Sequence, residues 1–247
     1  MTKAMILAAG KGTRLREITK GEIPKPMARV NNKPVLEYTL DRLVDFGVEE
    51  IIINLHYKGS KIEDYFGSDW KGTPIEYSWE EELKGTAGAV KNVEDRLNKT
   101  FLVVYGDVIT DINLEKFQQA HNKNSGLATL LLYNETDNLE ESSILFLDKE
   151  QRIQKFVEKP SKEFIEKHSQ DEFLTNGAVF FLEPEVFRYI EEGFTDFSKD
   201  VFPEVISSES DIYGYHLPSE DYWHEVGNPE RYRKLIRDVE DGLINWP

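Results

Sequence analysis

The stretch from Lys3 to Met27, KAMILAAGKGTRLREITKGEIPKPM, constrains the fold of this chain more than any other. Its apolar run, Ala4 to Leu7, is the length of one buried strand. The run breaks into a loop holding Gly10 and Gly12. There the backbone can turn sharply, and a ligand can approach main-chain N–H groups with no Cβ in the way. Lys11, Arg14, Arg16 and Lys25 surround that loop with cations. Residues 1–29 carry seven Lys or Arg against two Glu, in a chain whose formal net charge is −16. A positive, glycine-turned loop on an acidic protein marks a site for a small polyanion such as a nucleoside triphosphate.

The acidic balance excludes a nucleic-acid partner, which asks for a basic face. With no cysteine, disulfides and thiolate metal sites are excluded, and a cytoplasmic location is the expectation. No apolar run approaches the roughly 18 residues of a membrane span, and the short run ending at Gly10 does not make a signal peptide. At 247 residues the chain can bury one large α/β core.

Strand and helix patterns alternate along the first half, which predicts a mostly parallel sheet flanked by helices. Strands are expected at Ile51 to Ile53, Ile75 to Trp79, Phe101 to Tyr105 and Leu127 to Tyr133. Helices are expected at Pro34 to Phe46, Ser60 to Phe66 (with Ile62, Tyr65 and Phe66 inward), Thr86 to Leu97 and Leu114 to His121. From about residue 134 the rhythm loosens. Ile144 to Leu147 and Ile153 to Val157 read as an antiparallel pair, Lys162 to His168 as an exposed helix, and Val179 to Leu182 as a late strand. Helices at Pro184 to Ile190, Lys199 to Ile206 and Pro229 to Asp241, and a strand at Tyr213 to Leu217, complete the pattern. The chain therefore reads as a single domain, 1–247, with a first half to about 133 and a second half from about 134. No hexapeptide repeat follows. The five histidines are scattered without ligand spacing, and a satisfied or surface role is expected for each.

Two phosphate-loop patterns do not fit the first loop. A P-loop needs a glycine five residues before Gly-Lys-Ser/Thr, and the dinucleotide fingerprint needs glycine where Leu15 stands. Leu7-Ala8-Ala9-Gly10-Lys11-Gly12-Thr13-Arg14-Leu15 and Ile23-Pro24-Lys25-Pro26-Met27 resemble the signature of the sugar-1-phosphate nucleotidyltransferases. Further matching segments follow in that family's order: Lys33 to Tyr38, Gly85 to Ala89, Gly106-Asp107, Phe156 to Pro160, Asn176 to Ala178, Phe197 to Asp200 and Trp223 to Gly227. Among its branches, the chain is similar to the mannose-1-phosphate and heptose-1-phosphate guanylyltransferases.

The resemblance implies a Rossmann-like nucleotide-diphospho-sugar transferase fold with a small antiparallel sugar-binding lobe. It also implies Mg²⁺-dependent transfer of a nucleotidyl group from a nucleoside triphosphate to a sugar-1-phosphate. Arg14 and Lys25 would neutralise the triphosphate, Asp107 would hold Mg²⁺, and Lys159 would contact the sugar phosphate. Leu7, Ala8, Ala9, Gly10, Gly12, Thr13, Gly85 and Thr86 would surround the nucleotide, and Glu158, Asn176 and Gly177 the sugar. Gly177 would allow a ring to come close. The second metal carboxylate falls at Glu225, where the family has Asp. Asn228 stands where many members have Thr, and Ser142-Ser143 where relatives often have Tyr-Gly. Glu80, five residues before Gly85, occupies the position that reads the base. A carboxylate only accepts, which suits the N1–H and amino donors of guanine, or the amino group of cytosine, and repels the carbonyls of uracil or thymine. GTP with mannose-1-phosphate, or a heptose-1-phosphate, is the favoured pairing. UTP or dTTP with glucose-1-phosphate is the alternative, and a non-catalytic nucleotide-sugar sensor is the alternative of another class. No membrane partner is expected, and the oligomeric state stays open.

Overall fold

The apolar runs become strands of one ten-stranded sheet. The computed structural model describes residues 2–135, 139–168, 173–208 and 210–244. Strands β1 (Lys3–Leu7), β2 (Glu50–Leu55), β3 (Thr73–Trp79) and β4 (Phe101–Tyr105) lie parallel in the order β3-β2-β1-β4. Ile51 to Ile53 and Phe101 to Val103 are fully buried, as expected of parallel strands covered on both faces. After β5 (Val108–Thr110), β6 (Ala128–Asn134), β7 (Ser143–Leu147) and β8 (Ile153–Glu158) comes β9 (Leu174–Leu182). It pairs antiparallel with β4, β6 and β7, and so carries the sheet into the second half. Strand β10 (Ile212–His216) lies parallel to β6, and β11 (Trp223–Glu225) pairs antiparallel with β5. The result is the expected α/β fold around a large, mostly parallel central sheet. The antiparallel β7–β8 pair joins the same sheet through Leu145 opposite Leu174.

Helix α1 (Val35–Phe46) buries Leu36, Leu40 and Leu43 on one face. It stops at Gly47, whose φ of 82° lets its N–H reach the Leu43 and Val44 carbonyls. Helices α2 (Ser60–Phe66), α3 (Gly85–Lys91), α4 (Leu114–Asn124), α5 (Phe202–Ser207) and α6 (Pro229–Glu240) follow. Two large apolar clusters occupy the faces of the sheet. A third joins Leu15, Val35, Ile109, Val226 and Leu235, and so pins the first loop, β5, the residue after β11 and α6 together. Leu15 is fully buried. It is the peg that fixes its neighbour Arg14.

Four expectations need correction. Tyr65 is 41% exposed: Ile62 and Phe66 fill the core, and its hydroxyl donates to Glu37 at 2.9 Å. The helix expected to Leu97 ends at Lys91. The chain then tightens into a 3₁₀ turn, Glu94–Arg96, that places Arg96 against Glu76 and Glu50. Pro184–Tyr189 is 3₁₀ rather than α. The helix expected from Lys199 begins as a π turn at Phe197–Val201, capped by the Asp196 carboxylate, which accepts from the Ser198 and Lys199 N–H groups. The Lys162–Lys167 helix buries none of its residues, as its charge predicts.

Candidate active site

Parallel register brings Leu7 opposite both Asn54 and Tyr105, so the carboxyl ends of β1, β2 and β4 share one edge. In open α/β sheets that edge is where ligands sit. There the Ala8 N–H donates to Asn54 Oδ1 at 2.6 Å, and Asn54 Nδ2 donates to Glu80 Oε1 at 2.7 Å. Glu80, only 4% exposed, accepts the Lys84 N–H on its other oxygen at 3.0 Å. The first loop leaves β1 and turns at Gly12, whose φ is 56°. A Cβ there would stand 2.9 Å from the Lys25 Cβ, so the close approach of the two segments needs glycine. These groups border a cavity of about 420 Å³. Lys11, Arg14 and Lys25 contribute to its wall, and a Cβ at Gly10 would meet nothing within 4 Å.

The N-terminus of α3 and the segment 193–197 form a further wall of this cavity. Thr195 donates its N–H to the Lys84 carbonyl at 2.9 Å and accepts from the Ala87 and Gly88 N–H groups at 2.9 and 3.1 Å. Thr86 Oγ1 donates to Asp196 Oδ2 at 3.0 Å and accepts the Phe197 N–H at 2.9 Å. Side chains at positions 85 and 88 would approach the Thr195 and Gly193 carbonyls to 2.4 and 2.3 Å. The glycines of Gly-Thr-Ala-Gly thus admit a neighbouring segment as well as bordering the cavity.

Asp107 follows β4 and pairs with Lys25. Its carbonyl accepts the Val226 N–H at 2.9 Å, and Glu225 lies opposite Val108 in the β5–β11 ladder, so Asp107 and Glu225 are brought to one place. Arg231 ties Glu225 to Glu135, just past the end of β6. Its Nη1 donates to Glu225 at 2.9 Å and its Nη2 to the buried Glu135 at 2.8 Å. A side chain on Gly227 would collide with Glu225 Oε1 at 2.5 Å. Burial, and then the Asp107 charge, push the Glu225 carboxyl above its ordinary range, against the pull of Lys25, Arg231 and Arg14. Among the described residues no group of three His, Cys, Asp or Glu could enclose a metal ion. Two converging carboxylates do suit a hard divalent cation that takes its other oxygens from phosphate and water.

A second cavity of about 200 Å³ is bordered by Tyr133, Ser142, Ser143, Glu158, Asn176 and Trp223, among others. Tyr133 and Trp223 stack at 3.9 Å, and Trp223 Nε1 donates to the Gly177 carbonyl at 2.8 Å. Burial, and then the Asp196 charge, raise the Glu158 carboxyl. Ala178 adopts φ 57° at this wall, held by its N–H to Asn176 Oδ1 at 2.9 Å. Arg14 and Tyr105 border both cavities.

The nine residues expected to surround a nucleotide, Leu7 to Gly10, Gly12, Thr13, Glu80, Gly85 and Thr86, all border the first cavity, together with Arg14, Lys25 and Asp107. Glu158, Asn176 and Glu225 border the second. Lys159 and Gly177 border neither. Lys159, at φ 49°, extends to Glu141 at 3.3 Å. A Cβ on Gly177 would stand 3.0–3.2 Å from Leu131, so within the fold the close approach at Gly177 is to Leu131. His121 and His224 are buried and bonded within the fold, as expected. Asn54, Tyr105, Asp196 and Phe194 escaped the sequence reading, as did Arg231. Asn54 alone carried a signal, being a polar side chain in an aliphatic strand run.

Comparison with known proteins gives the chain's family and its fold relatives. The Nucleotidyl transferase family matches residues 3–242. A UTP–glucose-1-phosphate uridylyltransferase of Synechocystis sp. is 33% identical over 96% of this chain and 63% of its own length. A probable mannose-1-phosphate guanylyltransferase of Arabidopsis thaliana is 30% identical over 98% of this chain and 66% of its own. The chain thus spans a little under two thirds of the length of these relatives. HddC from Yersinia pseudotuberculosis superposes with a TM-score of 0.79 at 25% identity, over 97% of this chain and all of that one. A UDP-glucose pyrophosphorylase shares the fold with a TM-score of 0.81 at 17% identity.

Proposed function

The chain belongs to the nucleotidyl transferase family, and from that premise we propose that it transfers a nucleotidyl group from a nucleoside triphosphate to a sugar-1-phosphate, releasing pyrophosphate. The observation that carries this reading is the pair of cavities meeting at Arg14 and Tyr105. One cavity is sized and charged for a nucleotide. The other is bordered by the stacked Tyr133 and Trp223 and by hydroxyl, amide and carboxylate groups suited to a sugar.

In this reading the sugar phosphate's oxygen attacks the α-phosphorus and pyrophosphate leaves. Positioning and charge neutralisation supply the catalysis. The Arg14 guanidinium, at the junction, bridges oxygens of the triphosphate and stabilises the leaving pyrophosphate. Lys25 faces the α-phosphate once that phosphate competes for it with Asp107. Asp107 and Glu225 would hold Mg²⁺, which when bound supplies charge neutralisation of the triphosphate. Glu158 and Asn176 orient the sugar. Lys159, one residue past Glu158, reaches the sugar phosphate by leaving Glu141.

GTP with mannose-1-phosphate or a heptose-1-phosphate is the favoured pairing. Each Glu80 oxygen accepts one bond within the fold and retains a lone pair for guanine donors. The similarity to guanylyltransferases supports it. The similarity to a uridylyltransferase favours UTP with glucose-1-phosphate as the second reading. Pyrophosphate release with Mg²⁺, over GTP, UTP, dTTP, CTP and ATP against mannose-, glucose- and a heptose-1-phosphate, tests both. Preference for UTP or dTTP would remove the Glu80 argument. No release in any pairing, with tight nucleotide binding, would favour a sensor.

A further inference from the structure

Phe194 is 71% exposed, more than Tyr65, Trp79 or Leu243, the other large apolar side chains exposed among the described residues. A lone exposed aromatic is ordinary on a protein surface, and it is the position of this one that gives it a role. Phe194 borders the 420 Å³ cavity, whose wall also holds Leu83, Gly85 and Thr86. Its backbone is not a loose tip. Gly193 turns the chain at φ 99° on one side of it, and on the other Thr195 is bonded to Lys84, Ala87 and Gly88. Asp196 adds the Thr86 hydroxyl. The ring is therefore presented from a fixed support, next to the segment that carries Glu80 and Leu83.

We propose that Phe194 binds the nucleobase, offering an aromatic face on which the base of the nucleoside triphosphate stacks. This rests on reading the first cavity as the nucleotide site. Stacking needs only a π-face, so it adds affinity for any base, and purines present the larger face. Discrimination stays with polar groups such as Glu80. The cations Arg14 and Lys25 meet the phosphates whether or not a base is present. Phe194 is thereby separable from them by a ligand that lacks the base.

The test is calorimetric titration, with Mg²⁺ and no sugar phosphate, of GTP and of inorganic tripolyphosphate into wild type, Phe194→Ala and Phe194→Trp. The ring is exposed and bears no hydrogen bond, so folding should be unaffected, which the melting temperature checks. Phe194→Ala should bind GTP about tenfold more weakly and tripolyphosphate equally well. Phe194→Trp should restore GTP affinity, with its added indole fluorescence quenched by GTP and not by tripolyphosphate. Unchanged GTP affinity in Phe194→Ala overturns this inference alone, as does an equal loss for tripolyphosphate, which would place the ring over the phosphates. Wild type that binds tripolyphosphate but gains nothing from the base also overturns it. Wild type that binds neither overturns the nucleotide reading itself.

Discussion

Replacing Arg231 with Met tests the ionic link that holds Glu225 to Glu135. The guanidinium, 18% exposed, bridges Glu225, 31% exposed, and Glu135, 8% exposed, at 2.9 and 2.8 Å. Methionine keeps much of the aliphatic stem and removes the charge. Glu135 then has no guanidinium, and Glu225 faces Asp107 with one cation fewer. Removing one partner of a buried pair costs about 3–5 kcal/mol because the remaining charge stays buried. The partial exposure of Glu225 places this site near the lower end, about 3 kcal/mol. In a chain of this length each kcal/mol shifts the melting temperature by about 2–4 °C, so a fall of about 6–12 °C is expected. The assay is thermal unfolding followed by circular dichroism at neutral pH, without nucleotide. Adding Glu225→Gln and Glu135→Gln to Arg231→Met should recover most of the loss, since no carboxylate then lacks its guanidinium. The loss should also narrow on acidification, as Glu225, already raised by burial and Asp107, takes up a proton. A melting temperature within about 2 °C of wild type would refute the reasoning.

Four further outcomes follow from the same geometry. Arg14→Met, with Leu15 still pegging the loop, should lower the turnover of pyrophosphate release about 10²–10³-fold while the protein melts as wild type. Gly12→Ala combines a positive φ with a 2.9 Å contact at Lys25 and should lose about 1–3 kcal/mol of stability, read by denaturant unfolding. Gly10→Ala, with open space around it, should leave stability unchanged and weaken nucleotide binding in the same titration used for Phe194. Burial holds His121 and His224 below the ordinary 6.5, so both stay neutral in the fold while the unfolded chain takes up protons. Their stability contribution is complete above pH 6.5 and is lost as pH falls from there through their lowered values. Denaturant unfolding between pH 7.5 and 5 should show that slope, flattened in His224→Gln.

The first loop was legible because its chemistry is local. A buried strand, a glycine that must turn at φ 56° and a run of cations lie within a few residues of one another. The strands were legible from their aliphatic runs, and α1 from its spacing and its terminal glycine. What escaped depends on long separations. Arg231 reaches Glu135 across 96 positions, and Thr86 meets Asp196 across 110. Neither segment carries a pattern that announces its partner. Phe194 looks in the sequence like one more core aromatic, and only burial separates it from Phe197 three residues on. Gly177 reads in the sequence as a glycine of close approach, and within the fold that approach is to Leu131, where the β9–β6 register slips between Asn176 and Phe180. Tyr65 was placed inward by helical spacing. Its ring stays 41% exposed while its hydroxyl reaches the buried Glu37 instead.

The central claim, direct transfer between two cavities that meet at Arg14, is tested most directly by a rapid-quench single turnover with GTP radiolabelled at the α-phosphate, excess enzyme, Mg²⁺ and mannose-1-phosphate. The label should pass to a nucleotide sugar in step with pyrophosphate release, with none on the acid-denatured protein, and Arg14→Met should slow both together. Label trapped on the protein, or pyrophosphate released without a labelled nucleotide sugar, would contradict it.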